Sequence, residues 1–137
     1  NVPELISNMN DREAAIAGLE QFLRSFTLSL PSGKQNTFAA HTRPGLVWIV
    51  VRTDGPVNYM SAFEKPVQAR EEGYLASSIK TLASFVTTEA QRWGDHPVAH
   101  ASSCVPLEVG PVFGPNLSFE EAVATIRRAV EERLTDA

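Results

Sequence analysis

The stretch "LVWIVVRT", residues 46–53, decides the fold class of this sequence. Its first six residues are all apolar, and its valines and isoleucine favour extended chain because side chains branched at Cβ pack well on a pleated surface. A short, unbroken apolar run is typical of a strand that is buried on both faces. We therefore predict a strand at Leu46–Thr53 that lies centrally in a sheet.

Three amphipathic helices are predicted around this strand, each with one buried face. The first spans residues 11–30, with Asn10 or Asp11 as its cap and Pro31 ending it. The second stops at Gly94, and the third begins at a capping box of Ser118 and Glu121. The faces predicted to be buried are, in order, Ala15, Leu19, Phe22, Phe26 and Leu30; Leu75, Ile79, Leu82, Val86, Ala90 and Trp93; and Phe119, Val123, Ile126, Val130 and Leu134.

Two further strands complete the predicted elements: a weak candidate at Val57–Phe63 and a better one at Pro97–Val105. The resulting order of helices and strands is an α+β pattern. Two to three strands are few for three amphipathic helices. We therefore expect the sheet to be incomplete and an N-terminal part of the domain to be missing.

Length and composition restrict the class of protein. A chain of 137 residues, 43% hydrophobic and 20% charged, is expected to form a single domain, residues 1–137. No apolar run approaches the ~18 residues of a membrane span, so no membrane partner is expected. The single cysteine, Cys104, excludes an internal disulfide and fits a cytoplasmic location. The net charge of -4 does not exclude a local basic patch, since binding follows the distribution of charge.

The usual catalytic and metal-binding patterns are missing. In "SGKQNT", residues 32–37, a nucleotide-binding loop would need a glycine at Leu28 and a hydroxyl at Gln35. His96, His100 and Cys104 stand four residues apart in predicted extended chain, about 13 Å between neighbours, which is too far to share one ion. No nucleophile signature surrounds Ser102 or Ser103. We predict no enzymatic activity, no metal and no cofactor.

Binding chemistry is concentrated in the segment before the strand. Gly33 lets backbone approach a ligand closely, and Lys34 offers a charge to a phosphate. The neighbouring polar side chains can bond phosphate or sugar oxygens, and further cations lie in two loops; together these residues are Gln35, Asn36, Thr37, Arg43, Lys65 and Arg70. A plain connection from helix to strand explains the same residues, so the chemistry alone leaves both interpretations open.

The sequence "PSGKQNTFAAHTRPGLVWIVVRTDGPVNYMSAFEKPV", residues 31–67, resembles the C-terminal part of the CT1975-like family, the CasC-type backbone subunits of the type I-E CRISPR Cascade complex. The resemblance comprises the "PSGKQNT" loop, the apolar strand, the turn at "TDGPVN" and the "AFEKPV" stretch, in that order. "NVPEL" at the start and the long helix after "FEKPV" extend it over nearly the whole chain.

The resemblance implies a fold and a function. The fold would be a partial, modified RNA-recognition-motif (ferredoxin-like) palm, its N-terminal strand, fingers and thumb being absent from this chain. The subunit would be non-catalytic and would grip the CRISPR RNA guide through Gly33, Lys34, Gln35, Asn36, Thr37, Arg43, Lys65 and Arg70. Further partners would be target DNA in the assembled complex, other copies of the subunit and other Cascade subunits. In some relatives a basic pair follows "FEK"; here those positions are Gln68 and Arg70.

Two alternatives remain from the residues themselves. The chain could be a small stand-alone α+β enzyme or ligand-binding domain that uses His41 and the loop at residues 32–43. It could also act through protein contacts, with an exposed sheet edge pairing with another chain segment or another copy.

Overall fold

A computed structural model describes residues 1–29, 42–94, 96–104 and 110–135, and it confirms the α+β class. The described part has four α-helices and a two-stranded antiparallel sheet, consistent with a partial RNA-recognition-motif-like palm. In chain order the elements are α1 (Val2–Met9), α2 (Arg12–Leu28), β1 (Leu46–Val51), a 3-10 turn (Met60–Phe63), α3 (Gly73–Trp93), β2 (Ala99–Cys104), a second 3-10 turn (Pro111–Phe113) and α4 (Phe119–Thr135).

The sheet pairs β1 with β2, with Leu46 opposite Cys104 and Val51 opposite Ala99. The strand predicted within residues 97–105 is thereby confirmed. The central position predicted for β1 is wrong within the described residues, because β1 pairs with β2 alone there. All six residues of β1 also keep intermediate exposure. The far edge of β2 is bridged instead by Asn116, through a single parallel pair with Ser102.

Both faces of the sheet carry core packing. One face presents Ile49 and Ala101 to α4 and α2, in a cluster with Ile16 and Ile126. The other face presents Leu46, Trp48 and Cys104 to the second 3-10 turn and α3, in a cluster with Ile79 and Phe113. The sheet is therefore covered by helix on one side and by the second 3-10 turn and α3 on the other.

Local capping explains where the helices begin. The Asp11 side chain accepts a hydrogen bond from Ala14 N at 2.9 Å, as predicted for α2. The predicted capping box of α4 is also confirmed: Glu121 Oε2 accepts from Ser118 N at 3.0 Å, and Ser118 Oγ accepts from Glu121 N at 3.3 Å. Helix α1 was not predicted, although Asn1 caps it and a proline lies in its first turn.

The strand predicted at Val57–Phe63 is wrong. Residues 60–63 form a 3-10 turn instead. The side chain of Asn58 accepts a hydrogen bond from Met60 N at 2.8 Å, so a backbone donor that a strand would need is already used locally. Short polar side chains that bond nearby backbone in this way favour turns over sheet pairing.

The buried face predicted for α2 is partly wrong. Ala15 and Ile16 are buried, but Phe22 is 59% exposed and Phe26 is 73% exposed. Helix α4 packs on the side of α2 that carries Glu20, which the Arg127 guanidinium binds at 3.0 Å. The two phenylalanines point elsewhere and stack on one another, with ring centroids 5.7 Å apart. Leu30, predicted on the same face, lies outside the described residues.

The faces predicted for α3 and α4 are largely confirmed. Ile79 and Val86 are buried on α3, and Val123, Ile126 and Val130 on α4. Leu75 and Trp93, at the two ends of the face predicted for α3, are exceptions because both are exposed. In the described part of the chain, no helix is long and apolar enough to cross a membrane.

Candidate nucleic-acid interface

The predicted binding loop is described only at its two flanks. Gly33, Lys34, Gln35, Asn36, Thr37 and His41 lie outside the described residues. Thr27 and Leu28 before the loop and Arg43 and Pro44 after it line one cavity of about 740 Å³. Arg43, a predicted binding residue, therefore lies in the cavity where the two flanks of the loop meet.

The wall of this cavity, which we call the flank cavity, is built around Asn116. Its amide nitrogen donates to Cys104 O at 3.1 Å, and its Oδ1 accepts from Cys104 N at 2.9 Å. One side chain thus imitates the backbone of a neighbouring strand at the end of β2. Backbone bonds from Ser102 N to Pro115 O and from Leu117 N to Ser102 O extend the pairing. These hydrogen bonds form a polar part of the wall of the flank cavity.

Lys65 and Arg70, the other predicted cations, lie in a different cavity. This cavity, of about 930 Å³, lies between residues 61–72 and α3, and we call it the α3 groove. Its lining has three cationic and two anionic side chains, whereas the whole chain carries a net charge of -4. Lys65 makes no hydrogen bond or ion pair with any described residue. The structure brings Lys65 and Arg70 together and places Arg43 elsewhere.

One face of α3 supplies the floor of the groove. Ser77, Thr81, Ser84 and Thr88 follow one another at spacings of four, three and four residues, and Lys80 lies three residues after Ser77, so all five share one side of the helix. Lys80 was not predicted as a site residue. The helical spacing of hydroxyls around it was visible in the sequence, but only the packing of residues 61–72 against α3 turns that face into a groove.

An ion pair joins two residues of the groove lining, Glu72 at the start of α3 and Lys80 on the helix. Lys80 Nζ donates to Glu72 Oε1 at 2.7 Å. This hydrogen bond is the main reason that the pKa of Glu72 lies below its ordinary value. The lysine side chain is 71% exposed, and ion pairs this accessible are weak because water competes for both charges.

Ser77 carries a polar group without a partner. The residue is 7% exposed, and among the described residues its hydroxyl has no hydrogen-bond partner. Its backbone carbonyl accepts from Thr81 Oγ1 at 2.9 Å. A buried, unpaired polar group costs about 1–3 kcal/mol.

The residues considered as metal ligands are held apart. His100 and Cys104 lie on β2, and His96 is exposed before it. The His100 ring centroid lies 6.3 Å from that of Trp48, and burial lowers the pKa of the His100 imidazole. Across the described ranges no group of three or more His, Cys, Asp or Glu side chains could hold a metal ion.

The fold and the two cavities together define the class of the protein. It is an α+β domain with a groove lined by three cationic side chains and a second cavity at the flanks of the sequence segment that contains Gly33 and Lys34. The chain belongs to the CT1975-like protein family, whose model matches residues 1–128. No curated protein sequence matches it.

Two solved structures are similar over most of this chain. One is described as a CRISPR RNA-guided surveillance complex, with a TM-score of 0.86 and 29% identity over 95% of this chain and 50% of that chain. The other is a CRISPR RNA-guided surveillance complex in a pre-nicking state, with a TM-score of 0.82 and 28% identity over 94% of this chain and 35% of that chain. The chain therefore spans half, or less, of the length of these structures.

Proposed function

We propose that this protein is a non-catalytic subunit of a CRISPR RNA-guided surveillance complex, in which it holds the sugar-phosphate backbone of the guide RNA. The observation that carries the proposal is the family match over residues 1–128 together with the structural likeness at a TM-score of 0.86. The guide would then present its bases to target DNA. A subunit that repeats along any guide has to contact phosphate and ribose, since base contacts would restrict it to one sequence.

The placement of the cations supports this proposal. Arg43 lines the flank cavity and follows the segment that contains Lys34 in the sequence, and Lys65 and Arg70 line the α3 groove. Gly33 would allow close approach of the RNA, Lys34 would neutralise a phosphate, and the polar side chains at 35–37 would donate to phosphate or ribose oxygens.

The remaining parts of the proposal concern assembly. Other copies of the subunit and other Cascade subunits would be its protein partners, the complex would work in the cytoplasm, and no cofactor would be needed. The expectation that this chain is the C-terminal part of a longer palm stays a prediction.

The test is the affinity of the assembled complex for guide RNA as a function of salt. Each phosphate neutralised on a single strand contributes about -0.7 to the slope of log affinity against log salt. We expect Lys34→Ala to weaken binding to all guide sequences equally and to make the slope shallower by about 0.7. Filter binding or fluorescence anisotropy between about 0.05 and 0.2 M salt measures both quantities.

Two comparison variants sharpen this test. Gly33→Val should weaken binding by steric hindrance and leave the salt slope unchanged, because no charge is lost. Arg133→Ala removes a charge in the last turn of α4, and it should change neither quantity. If Lys34→Ala leaves affinity, assembly and salt slope unchanged in a folded protein, the loop is only a connector between α2 and β1.

A further inference from the structure

A network of alternating charges, which we call the α2–α4 network, joins two helices. Glu20, on α2, lies at its middle: one carboxylate oxygen accepts from Arg24 Nη2 and the other from Arg127 Nη1, on α4, both at 3.0 Å. The other terminal nitrogen of Arg24 donates to Glu120, in the first turn of α4. Arg127 also donates to Glu131, at 2.9 Å. Among the described residues, the network therefore crosses from α2 to α4 at two places.

The C-terminal half of α2 has little buried surface to hold it on α4. The buried residues of α2 are Ala15 and Ile16, and both lie in its N-terminal half. Beyond them, Leu19 and Leu23 pack against the core and stay partly exposed. Apolar burial is the main force that docks a helix. The C-terminal half of α2 therefore depends on its charged contacts more than the N-terminal half does.

The contact of Arg24 with Glu120 lies beside the flank cavity. Along α2 the contact partners on α4 move from Arg127 back to Glu120, so the two helices run in opposite directions. The end of α2 is thereby held near the start of α4, and both helix ends line the flank cavity, through Thr27, Leu28, Phe119 and Glu121. The width of this cavity depends on how closely the two helix ends are held together.

The α2–α4 network has a protected middle and an exposed end. The side chains of Glu20 and Arg24 are 22% and 31% exposed, whereas that of Glu120 is 66% exposed. Water and salt compete for exposed charges, so Glu120 is the partner that Arg24 loses most readily. The contact beside the flank cavity is therefore the one that conditions in solution can break.

We propose that the α2–α4 network is a salt-sensitive clamp on the flank cavity. While Arg24 binds both carboxylates, the end of α2 is held against α4. When these contacts are screened or removed, the last two turns of α2 separate from the start of α4 and the cavity widens. This goes beyond the proposed function, because it concerns the conformation of the cavity and holds for any ligand that enters it.

The distance between the two helix ends tests the clamp. Nitroxide labels at Ser29→Cys and Ala124→Cys, both exposed positions, report this distance by double electron–electron resonance, with the buried Cys104 replaced by alanine in every sample. Raising the salt from about 0.05 M to about 1 M shortens the Debye length to about 3 Å and should shift the distances to larger values. Arg24→Gln should produce the same shift at low salt and abolish the effect of salt.

Two further variants make the test specific to the network. Glu120→Gln removes the exposed partner alone, so it should give a smaller shift than Arg24→Gln. Arg128→Gln removes an exposed guanidinium from α4 that bonds no described residue, and it should give no shift. Circular dichroism checks that each variant is folded.

Amide hydrogen exchange, followed by NMR, shows whether the opening is local. Arg24→Gln should speed exchange about threefold in the last two turns of α2. Exchange in β1 and β2 should stay unchanged, because their pairing does not involve the network. An equal increase at all protected amides would mean that the network stabilises the whole fold, and the clamp would be wrong.

The results can also overturn the proposal through the distances. Larger distances at high salt and in Arg24→Gln, with no response in Arg128→Gln, support it. Unchanged distances in folded Arg24→Gln, or an equal shift in Arg128→Gln, contradict it. None of these measurements requires guide RNA, whereas Lys34→Ala tests guide binding, so the clamp and the proposed function can fail separately.

Discussion

At the scale of single residues, Gly114 shows how tightly the second 3-10 turn is fitted to β2. Its φ of 73° and ψ of -166° lie in a region that is essentially restricted to glycine. A Cβ at this position would lie 2.6 Å from the carbonyl oxygen of His100. The turn that it ends carries Phe113, which is fully buried against Trp48. Gly114 therefore sets how closely Phe113 can approach the sheet.

We predict that Gly114→Ala destabilises the protein much more than Gly94→Ala does. Gly94 also has a positive φ, 65°, but a Cβ there would meet nothing within 4 Å. The Gly94 variant should cost about 1 kcal/mol from backbone strain alone. Gly114→Ala should cost about 3 kcal/mol or more, because strain and overpacking add. Urea denaturation of both variants gives the two values, and equal losses would show that the close approach to His100 is unimportant.

At the scale of elements, the start of α4 depends on an ionised carboxylate. Hydrogen bonds from the hydroxyl and the backbone N–H of Ser118 hold the pKa of Glu121 below its ordinary value of 4.5. A lowered pKa in the folded state means that the stabilisation is fully present above pH 4.5 and is lost as the pH falls through the folded-state pKa. The capping box should therefore weaken in acid.

Replacing Glu121 tests this directly. Glu121→Gln keeps the geometry of a capping box but cannot titrate, so its melting temperature should fall less than that of the unaltered protein between about pH 6 and 3. Glu132→Gln removes an exposed carboxylate from the same helix that bonds no described residue. That control should follow the unaltered protein. Identical acid profiles for all three proteins would refute the role assigned to Glu121.

Features that depend on neighbouring residues were predictable at this scale, and features that depend on packing were not. The capping box of α4 and the cap at Asp11 follow from side chains within three residues of one another. The exposed Phe26 could not be foreseen, because the helical period fixes which residues share a face but not which face meets α4. Lys80 was missed for the same reason, since its groove exists only once residues 61–72 pack on α3.

At the scale of the whole molecule, apolar surface remains uncovered in the described part of the chain. The exposed side of α2 presents Phe22 and Phe26, whose rings stack on one another, and α3 leaves Tyr74 and Trp93 exposed near its opposite ends. Contiguous apolar patches on soluble proteins usually mark contact surfaces. The stacked pair on α2 is contiguous apolar surface, whereas isolated apolar side chains are common on any surface.

We predict that the protein self-associates through α2 as its concentration rises. The double change Phe22→Ser and Phe26→Ser should shift sedimentation velocity profiles toward monomer. It should leave folding stability nearly unchanged, because both rings are already exposed. Trp93→Ser removes an exposed aromatic residue from α3 and serves as the control that should not alter association. A protein that stays monomeric at all accessible concentrations would contradict the prediction.

The contrast between the two tryptophans gives the molecule a pair of optical reporters. Trp48 lies edge-on to Phe113 at 5.2 Å and near Tyr59 at 5.5 Å, so its fluorescence is governed by the packing of the sheet. Trp93 is 72% exposed and bonds Glu89 at the end of α3, so a soluble quencher reaches it first. Emission at short wavelength that survives quenching therefore comes from Trp48 and reports on the sheet alone. The rate at which this emission is lost during unfolding would measure how fast the core opens, separately from any change at the surface.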